Sequence, residues 1–316
     1  MGNLHIVMYH YVRDLLNSRY PYIKGLDYRE FKQQLHFFSE NFNVVRMEEV
    51  IAYYTQGYQL PDNAMLLTFD DGYIDHYTYV LPVLKEYKMQ GSFFVPGKTF
   101  TEHSLLDVNK IHYLLASTPI EELCKELYKQ MDYYREGLEY PSNEELFDKY
   151  AVESRYDQKE VIFFKRILQT VLPEEVRNKI SSDMLKKFVG VSEEVLAHEL
   201  YLNYDQIKLM KNEGMFFGIH GYDHYWMNQL EEDKLKKDIN RGLEVLSDVL
   251  DINQWVINYP YGSYSEKVVD CIKDSGCILG LSTDVNVVNL EKDNKYILPR
   301  MDTNDYPPKN QDYKFK

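Results

Sequence analysis

Short apolar runs rich in β-branched and aromatic residues alternate along this chain with longer segments of helical periodicity. Seven of these runs predict strands: "IVMYH", "MLLTFDD", "GSFFVPG", "MFFGIHG", "WVINYPYG", "CILGLSTD" and "YILPR". Between them, segments such as "DYREFKQQLHFF" repeat apolar residues every three or four positions and predict helices. Because regular alternation of strand and helix is typical of a parallel sheet, we expect an α/β fold.

The region from residue 101 to residue 202 breaks this alternation. It contains no convincing strand pattern, only amphipathic segments such as "IEELCKELYKQM" and "EVIFFKRILQTVL". We interpret residues 101–202 as a helical insertion after the third predicted strand, within a discontinuous domain formed by residues 1–100 and 203–316. An insertion at that point leaves the sheet where its strands end, and there it can form a lid, a pocket wall or a subunit contact.

Polar residues stand at the carboxyl ends of the predicted strands. Parallel strands deliver these ends to one edge of the sheet, where α/β enzymes assemble their sites. The residues at this edge are His10, Asp70, Asp71, His220, His224, Asp284 and Arg300. The sequence therefore predicts that polar groups from distant segments meet at one edge.

Charge and composition narrow the classes of partner. The 316-residue chain has a formal net charge of −14, so we expect neither nucleic acid nor an anionic lipid surface as a partner. It has no run of about 18 uncharged apolar residues and no basic, apolar leader, so we expect a cytoplasmic protein without a transmembrane segment. Its three cysteines lack C-x-x-C spacing and predict neither a disulfide framework nor a thiolate zinc site. An oligomer is compatible with the sequence.

Two short motifs carry candidate chemistry. In "GIHGYDH", His220 and His224 stand four residues apart, which suits two imidazoles on one zinc ion, although this spacing alone is weak evidence. In "LLTFDDGY", Asp70 and Asp71 end an apolar run, where unpaired charges are costly unless a cation or solvent meets them. Gly72 lets the backbone turn there, so that one carboxylate can bind a metal while the other addresses water.

The motifs "TFDDG", "HGYDH" and "YPYGSY", in this order, resemble those of the NodB-homology polysaccharide deacetylases, carbohydrate esterase family 4. The early "MYHYV" and the late "LPR" resemble one branch of that family, and the similarity covers about residues 4 to 100 and 203 to 303. The resemblance implies a distorted (β/α)7 barrel. It also implies Zn²⁺, or another divalent ion such as Co²⁺ or Ni²⁺, and hydrolytic removal of acetyl groups from sugars.

Carried over position by position, the resemblance assigns roles to six residues. It implies that Asp71, His220 and His224 ligate the metal and that Asp70 is the general base. The third motif lines the acetyl pocket in the family. Tyr261 would therefore offer its backbone N–H to the developing oxyanion, and Pro260 would shape the turn and contact substrate.

Three departures from the family pattern bear on the reaction. Gly221 stands where a serine or threonine is usual, and Asn258 stands where an arginine usually tethers the base. Arg300 is a candidate for that tether or for a substrate contact, although it fits a structural salt bridge equally well. No histidine follows His224 to serve as the family's general acid. We expect His10 in this role, because histidine titrates near neutrality, but it fits equally a histidine that holds the first loop, and water is a further candidate.

The function predicted is removal of acetyl groups from an N-acetylated sugar or polysaccharide precursor. The missing late histidine leaves two alternatives open. An alkoxide leaving group needs less help from a general acid than an amine does. A carbohydrate O-acetyl esterase is therefore one alternative. A catalytically weakened sugar-binding protein on the same fold is the other alternative.

Overall fold

The computed structural model describes residues 2–136, 138 and 140–314. The chain divides into two compact units. One comprises Met1–Asp14, Gly25–His103 and Leu200–Lys316, and the other comprises Leu15–Lys24 and Ser104–Glu199. The second unit overlaps the predicted insertion and additionally contains residues 15–24.

The strands are short, and all of them lie in the first unit. In chain order they are β1 Asn3–Tyr9, β2 Val12–Arg13, β3 Leu26–Asp27, β4 Asn43–Val44, β5 Ala64–Asp70, β6 Ser92–Val95, β7 Phe216–Ile219, β8 Val256–Asn258, β9 Leu279–Leu281, β10 Val288–Asn289 and β11 Met301–Asp302. The main sheet follows the order β10-β1-β5-β6-β7-β8-β9. Its pairs are parallel except for that between β1 and β10, while β2 pairs with β3 in a separate small sheet. The predicted parallel sheet is confirmed.

The sheet curls, and residues 298–302 connect β9 at one end with β1, the second strand from the other end. Leu298 forms a parallel bridge with Leu281 of β9, and β11 pairs with β1 in parallel. The seventh predicted strand, "YILPR", contributes only that single bridge, so its prediction as a strand is wrong. Pro299 has no N–H to donate to a ladder, which limits regular pairing in this segment.

The helices alternate with strands in the first unit and occur without strands in the second. In chain order they are α1 Tyr28–Asn41, α2 Met47–Gln56, α3 Leu81–Tyr87, α4 Gly97–Thr101, α5 Asp107–Ser117, α6 Ile120–Arg135, α7 Asn143–Tyr150, α8 Lys159–Arg166, α9 Glu174–Phe188, α10 Glu193–Leu200, α11 Tyr204–Asn212, α12 Glu232–Val245 and α13 Glu266–Asp274. Helices α5 to α9, with α10 up to Glu199, form the second unit together with residues 15–24. Within the part of the chain that is described, no helix is both long enough and apolar enough to span a bilayer.

The core of the first unit holds the strand ends in place. Every residue of β5 is buried, because helices and neighbouring strands cover both faces of this central strand. Aromatic rings stack across β1, β5 and β6, with Tyr9 and Phe69 at 4.9 Å and Phe69 and Phe93 at 4.8 Å between centroids. Such tight packing fixes the carboxyl end of β5, where the paired acids lie.

Candidate active site

The chain turns sharply at the end of β5, and this turn places both acids in the interior. Asp71 has a φ of +71° and Gly72 a φ of +65°, in the left-handed region. A Cβ at Gly72 would lie 2.6 Å from Val95 Cγ1, so the close approach to β6 requires glycine. Because the strand does not continue, Asp70 and Asp71 do not simply alternate across the sheet, and both side chains are buried.

Two histidines after β7 face one oxygen of Asp71. The Oδ1 atom of Asp71 lies 3.3 Å from His220 Nε2 and 3.2 Å from His224 Nε2. All three potential ligand atoms lie within 4.8 Å of one another. His220 Nδ1 donates to the Asn258 carbonyl at 2.6 Å, which leaves the lone pair of a neutral ring on Nε2, toward Asp71.

The surroundings of Asp71 fit a divalent cation. Its Oδ1 atom is buried and makes no hydrogen bond, whereas Oδ2 accepts one from the Tyr73 hydroxyl at 2.6 Å. Burial lowers the pKa of His224, which favours the neutral, metal-binding form. Two imidazoles and a carboxylate oxygen are a donor set that suits zinc and leaves further coordination positions free for substrate.

Asp70 lies in a different environment, bound on both oxygens by one guanidinium. Arg300 Nη1 donates to Asp70 Oδ1 and Nη2 to Asp70 Oδ2, each at 2.9 Å. Burial alone would raise the pKa of Asp70, but the charge and the hydrogen bonds of Arg300 outweigh it and hold the pKa at about 2. Asp70 is therefore ionised and oriented.

The Arg300 side chain is 0% exposed and is saturated with hydrogen bonds inside the protein. Its Nε donates to the Ser282 carbonyl at 2.7 Å, and Nη1 also donates to Thr68 Oγ1 at 3.1 Å. The sequence offers a direct contact with substrate as one role for Arg300. This role is wrong, because no face of the guanidinium is open to a ligand. Arg300 is placed instead as the tether of Asp70.

Asn258, at the end of β8, contacts both the Asp70–Arg300 pair and His220. Its side-chain amide donates to Asp70 Oδ1 and accepts from Arg300 Nη2 at 3.0 Å, while its backbone carbonyl accepts from His220. From the sequence alone, residue 258 indicates only that the family's usual arginine is absent at this position. The contacts show that Asn258 and Arg300 together take that place.

His10 follows β1 and lies beside Asp70. Its Nε2 atom is 3.6 Å from Asp70 Oδ2, and its side chain is 42% exposed. The His10 carbonyl accepts a hydrogen bond from His76 Nε2 at 3.0 Å, which fixes the backbone at this position. The structure thus places His10 at the same edge as the paired acids, partly open to solvent.

The turn after β8 brings Tyr261 against the second histidine. Pro260 is buried, and Tyr261 has a φ of +59° within the turn Pro260–Gly262. The Tyr261 ring contacts His224 edge to face at 4.6 Å and stacks on Trp226 at 4.7 Å, with 11° between the ring planes. Trp226 and Tyr73 are two neighbours of the site that sequence reasoning missed.

Comparisons with known proteins show the family of this chain. The chain belongs to the polysaccharide deacetylase family, whose model matches residues 57–137 and 183–278, more than half of the sequence. The matched ranges contain Asp70, Asp71, His220, His224 and Tyr261, but neither His10 nor Arg300. Bacillus subtilis (strain 168) YxkH, which its name assigns to the polysaccharide deacetylases, is 32% identical over 99 residues, or 31% of this chain. That alignment spans about a third of YxkH, 33% of its length.

Solved structures share the fold. Streptococcus pyogenes deacetylase PplD, solved in complex with acetate, aligns over 99% of both chains with a TM-score of 0.60 and 17% identity. IcaB from Ammonifex degensii aligns over 95% of this chain and 91% of its own, with a TM-score of 0.56 and 20% identity. These similarities confirm the predicted fold class, an α/β fold of the NodB-homology type, whose sheet here forms a curled half-barrel.

Proposed function

We propose that this protein is a divalent-cation-dependent deacetylase that removes acetyl groups from an N-acetylated sugar or oligosaccharide. The observation that carries this proposal is the buried Asp71 Oδ1 atom, which makes no hydrogen bond and is faced by two imidazole nitrogens. Next to it, a second carboxylate is oriented separately by Arg300. Family membership supports the same reaction class.

Asp71, His220 and His224 would hold the cation, Zn²⁺ or another divalent ion such as Co²⁺ or Ni²⁺. A bound cation of this kind lowers the pKa of water from 15.7 to about 7 and polarises a carbonyl oxygen. The protein contributes the orientation of its ligands, through the Tyr73 hydroxyl on Asp71 and the Asn258 carbonyl on His220.

Asp70 acts as the general base and accepts a proton from the attacking water. Its two oxygens are fixed by Arg300 and Asn258, so the carboxylate does not have to be oriented during the reaction. Water oxygen adds to the acetyl carbon, and the bond from that carbon to the sugar nitrogen then breaks, releasing acetate. The backbone N–H of Tyr261 would donate to the oxyanion that forms in between, and Pro260 would line the acetyl pocket.

His10 is proposed to protonate the leaving amine. It lies 3.6 Å from Asp70 and is partly exposed, which gives it access to both the base and a bound substrate. His10→Ala is expected to lower turnover by about 10² to 10⁴ while zinc stays bound. Turnover and bound zinc are measured on the same sample, with His36→Ala, an exposed histidine on α1, as control. Full turnover in His10→Ala would remove His10 from the mechanism.

The deciding experiment is an acetate-release assay on a panel of acetylated sugars, with Zn²⁺ or Co²⁺ added. The panel includes N- and O-acetylated sugars, from monosaccharide to oligomer, and nucleotide-linked forms. We expect release from N-acetylated substrates. Release from O-acetylated sugars alone would favour the esterase. Sugar binding without any release would favour the weakened, sugar-binding alternative.

A further inference from the structure

The loop between the two histidines depends on a carboxylate from another helix. Asp238 lies in α12, is 5% exposed, and points at this loop. Its Oδ2 atom accepts from the Tyr222 N–H at 3.1 Å, and its Oδ1 atom accepts from the Asp223 N–H at 2.8 Å. Both oxygens are thus engaged by consecutive backbone groups between His220 and His224.

This contact is possible because residue 221 has no side chain. Gly221 has a φ of +68°, and a Cβ there would lie 2.7 Å from Asp238 Oδ2. His224 also has a left-handed backbone, with a φ of +57°. A loop with two left-handed residues needs external hydrogen bonds to keep one conformation, and Asp238 supplies them from α12.

The opposite edge of the loop contacts the start of α4, where Lys98 Nζ forms a salt bridge with Asp223 Oδ1 at 2.7 Å. The Gly97 N–H donates to the Gly221 carbonyl at 3.2 Å, and the Lys98 N–H donates to the Tyr222 carbonyl at 3.0 Å. The first turn of α4 therefore satisfies the carbonyls of the loop, while Asp238 satisfies its N–H groups. Asp238 is the buried side chain that accepts from the N–H groups of Tyr222 and Asp223.

Keeping a charge at this position is costly. Burial raises the pKa of Asp238 to about 6, although the two backbone hydrogen bonds act in the opposite direction. The charge of Lys234 also lowers the pKa of Asp238, but it contributes less than these two hydrogen bonds. The hydrogen bonds to the loop are therefore the main compensation for its burial.

We infer that Asp238 is a positioning residue for the metal site, holding the backbone between His220 and His224 so that both Nε2 atoms face Asp71. This inference rests on the proposed function, because it concerns the affinity of that same site for its cation. It assigns part of the ligand geometry to a side chain that contacts neither cation nor substrate. Outer-shell partners of this kind typically contribute 10- to 100-fold to metal affinity.

The test is the zinc affinity of Asp238→Asn, measured by competition with a chromophoric chelator. The asparagine keeps the shape of the side chain but turns an amide N–H₂ toward one backbone N–H. We expect at least a tenfold weaker zinc affinity and an altered Co²⁺ absorption spectrum. Asp233→Asn, the same change at an exposed position of α12, should leave both unchanged. The melting temperature of the metal-free proteins is measured in parallel.

If Asp238→Asn does not fold, Asp238→Glu keeps the charge and displaces the oxygens by one methylene, and it should still weaken zinc binding. A folded variant with wild-type zinc affinity and Co²⁺ spectrum would overturn the inference, and so would one that loses only metal-free stability. A wild-type protein that binds no zinc would instead contradict the proposed function. The two failures are thus distinguished by the wild-type titration.

Discussion

Asp70 and Asp71 are adjacent in sequence, and both are buried, but their surroundings are opposite. Asp70 is paired with a cation of the protein itself, the Arg300 guanidinium. Asp71 faces two imidazole nitrogens through an oxygen that makes no hydrogen bond. For Asp70, the charge of Arg300 outweighs burial and lowers the pKa of the carboxyl.

In this comparison, the surroundings of the two carboxylates, not their residue type, separate the two proposed roles. The left-handed turn at Asp71 and Gly72 separates the carboxylates, and Asn258 then contacts each side, Asp70 through its side chain and His220 through its carbonyl. A paired carboxylate is already compensated and suits proton transfer. One with an unbonded oxygen suits a cation.

The largest expected effect is on the metal side of this comparison. Asp71→Ala removes the only oxygen donor of the proposed ligand set and should abolish detectable zinc binding, together with acetate release. Isothermal titration with Zn²⁺ measures the first effect. Asp62→Ala, at an exposed position just before β5, is the matched control. Zinc affinity retained in Asp71→Ala would mean that the cation, if any, is held elsewhere.

Asp70→Asn should lose turnover but keep zinc binding. The amide cannot accept a proton as the carboxylate does, so we expect acetate release to fall by about 10² to 10⁴. Zinc should still bind, because Asp71 and both histidines are unchanged. Zinc content and turnover are measured on one sample, and loss of zinc in this variant would contradict the division of roles.

The strands around this site were predictable because the sheet is parallel. Strands buried on both faces appear as apolar runs, so the sequence indicates β1 and β5 to β9 and the acids that end β5. The final run fails because Pro299 interrupts pairing, and only the local sequence around Leu298 remains bridged. Composition and periodicity do not test the cytoplasmic location or the oligomeric state, which stay predictions.

The candidate site was predictable only where its chemistry is local in sequence. The Asp-Asp pair and the two histidines are recognisable as short motifs. The pairing of Arg300 with Asp70 joins residues 230 positions apart, and the sequence offered it only as one of several roles. Tyr73 was missed because its direction depends on the left-handed turn at Asp71 and Gly72, which residue types alone do not determine.

The next effect concerns the tether of Asp70. Arg300→Met should lower the free energy of unfolding by about 3 to 5 kcal/mol, because it leaves the Asp70 carboxylate buried without its partner charge. Chemical denaturation of the metal-free protein measures this. The double variant Arg300→Met with Asp70→Asn should regain part of the loss, because the uncompensated charge is gone. Equal losses in the single and double variants would argue against direct coupling.

The smallest expected effect is on zinc affinity, in a variant that keeps all three proposed metal ligands. Tyr73→Phe deletes only the hydroxyl that donates to Asp71 Oδ2 at 2.6 Å, and it keeps the ring stacked on Tyr11 at 4.1 Å. We expect zinc affinity to fall about 10- to 100-fold, because Asp71 loses the contact that orients its carboxylate. The ring packing is retained, so the loss of stability should be that of one buried hydrogen bond, about 1 to 3 kcal/mol.

Tyr54→Phe is the matched control, because the Tyr54 hydroxyl is buried in the structure without a hydrogen-bond partner. Removing it breaks no bond and leaves the site untouched, so zinc affinity should equal that of the wild type. Chelator competition on both variants measures the difference. If Tyr73→Phe binds zinc as Tyr54→Phe does, the cation itself suffices to orient Asp71. The asymmetry between the two carboxylates would then depend on the backbone turn and Arg300 alone.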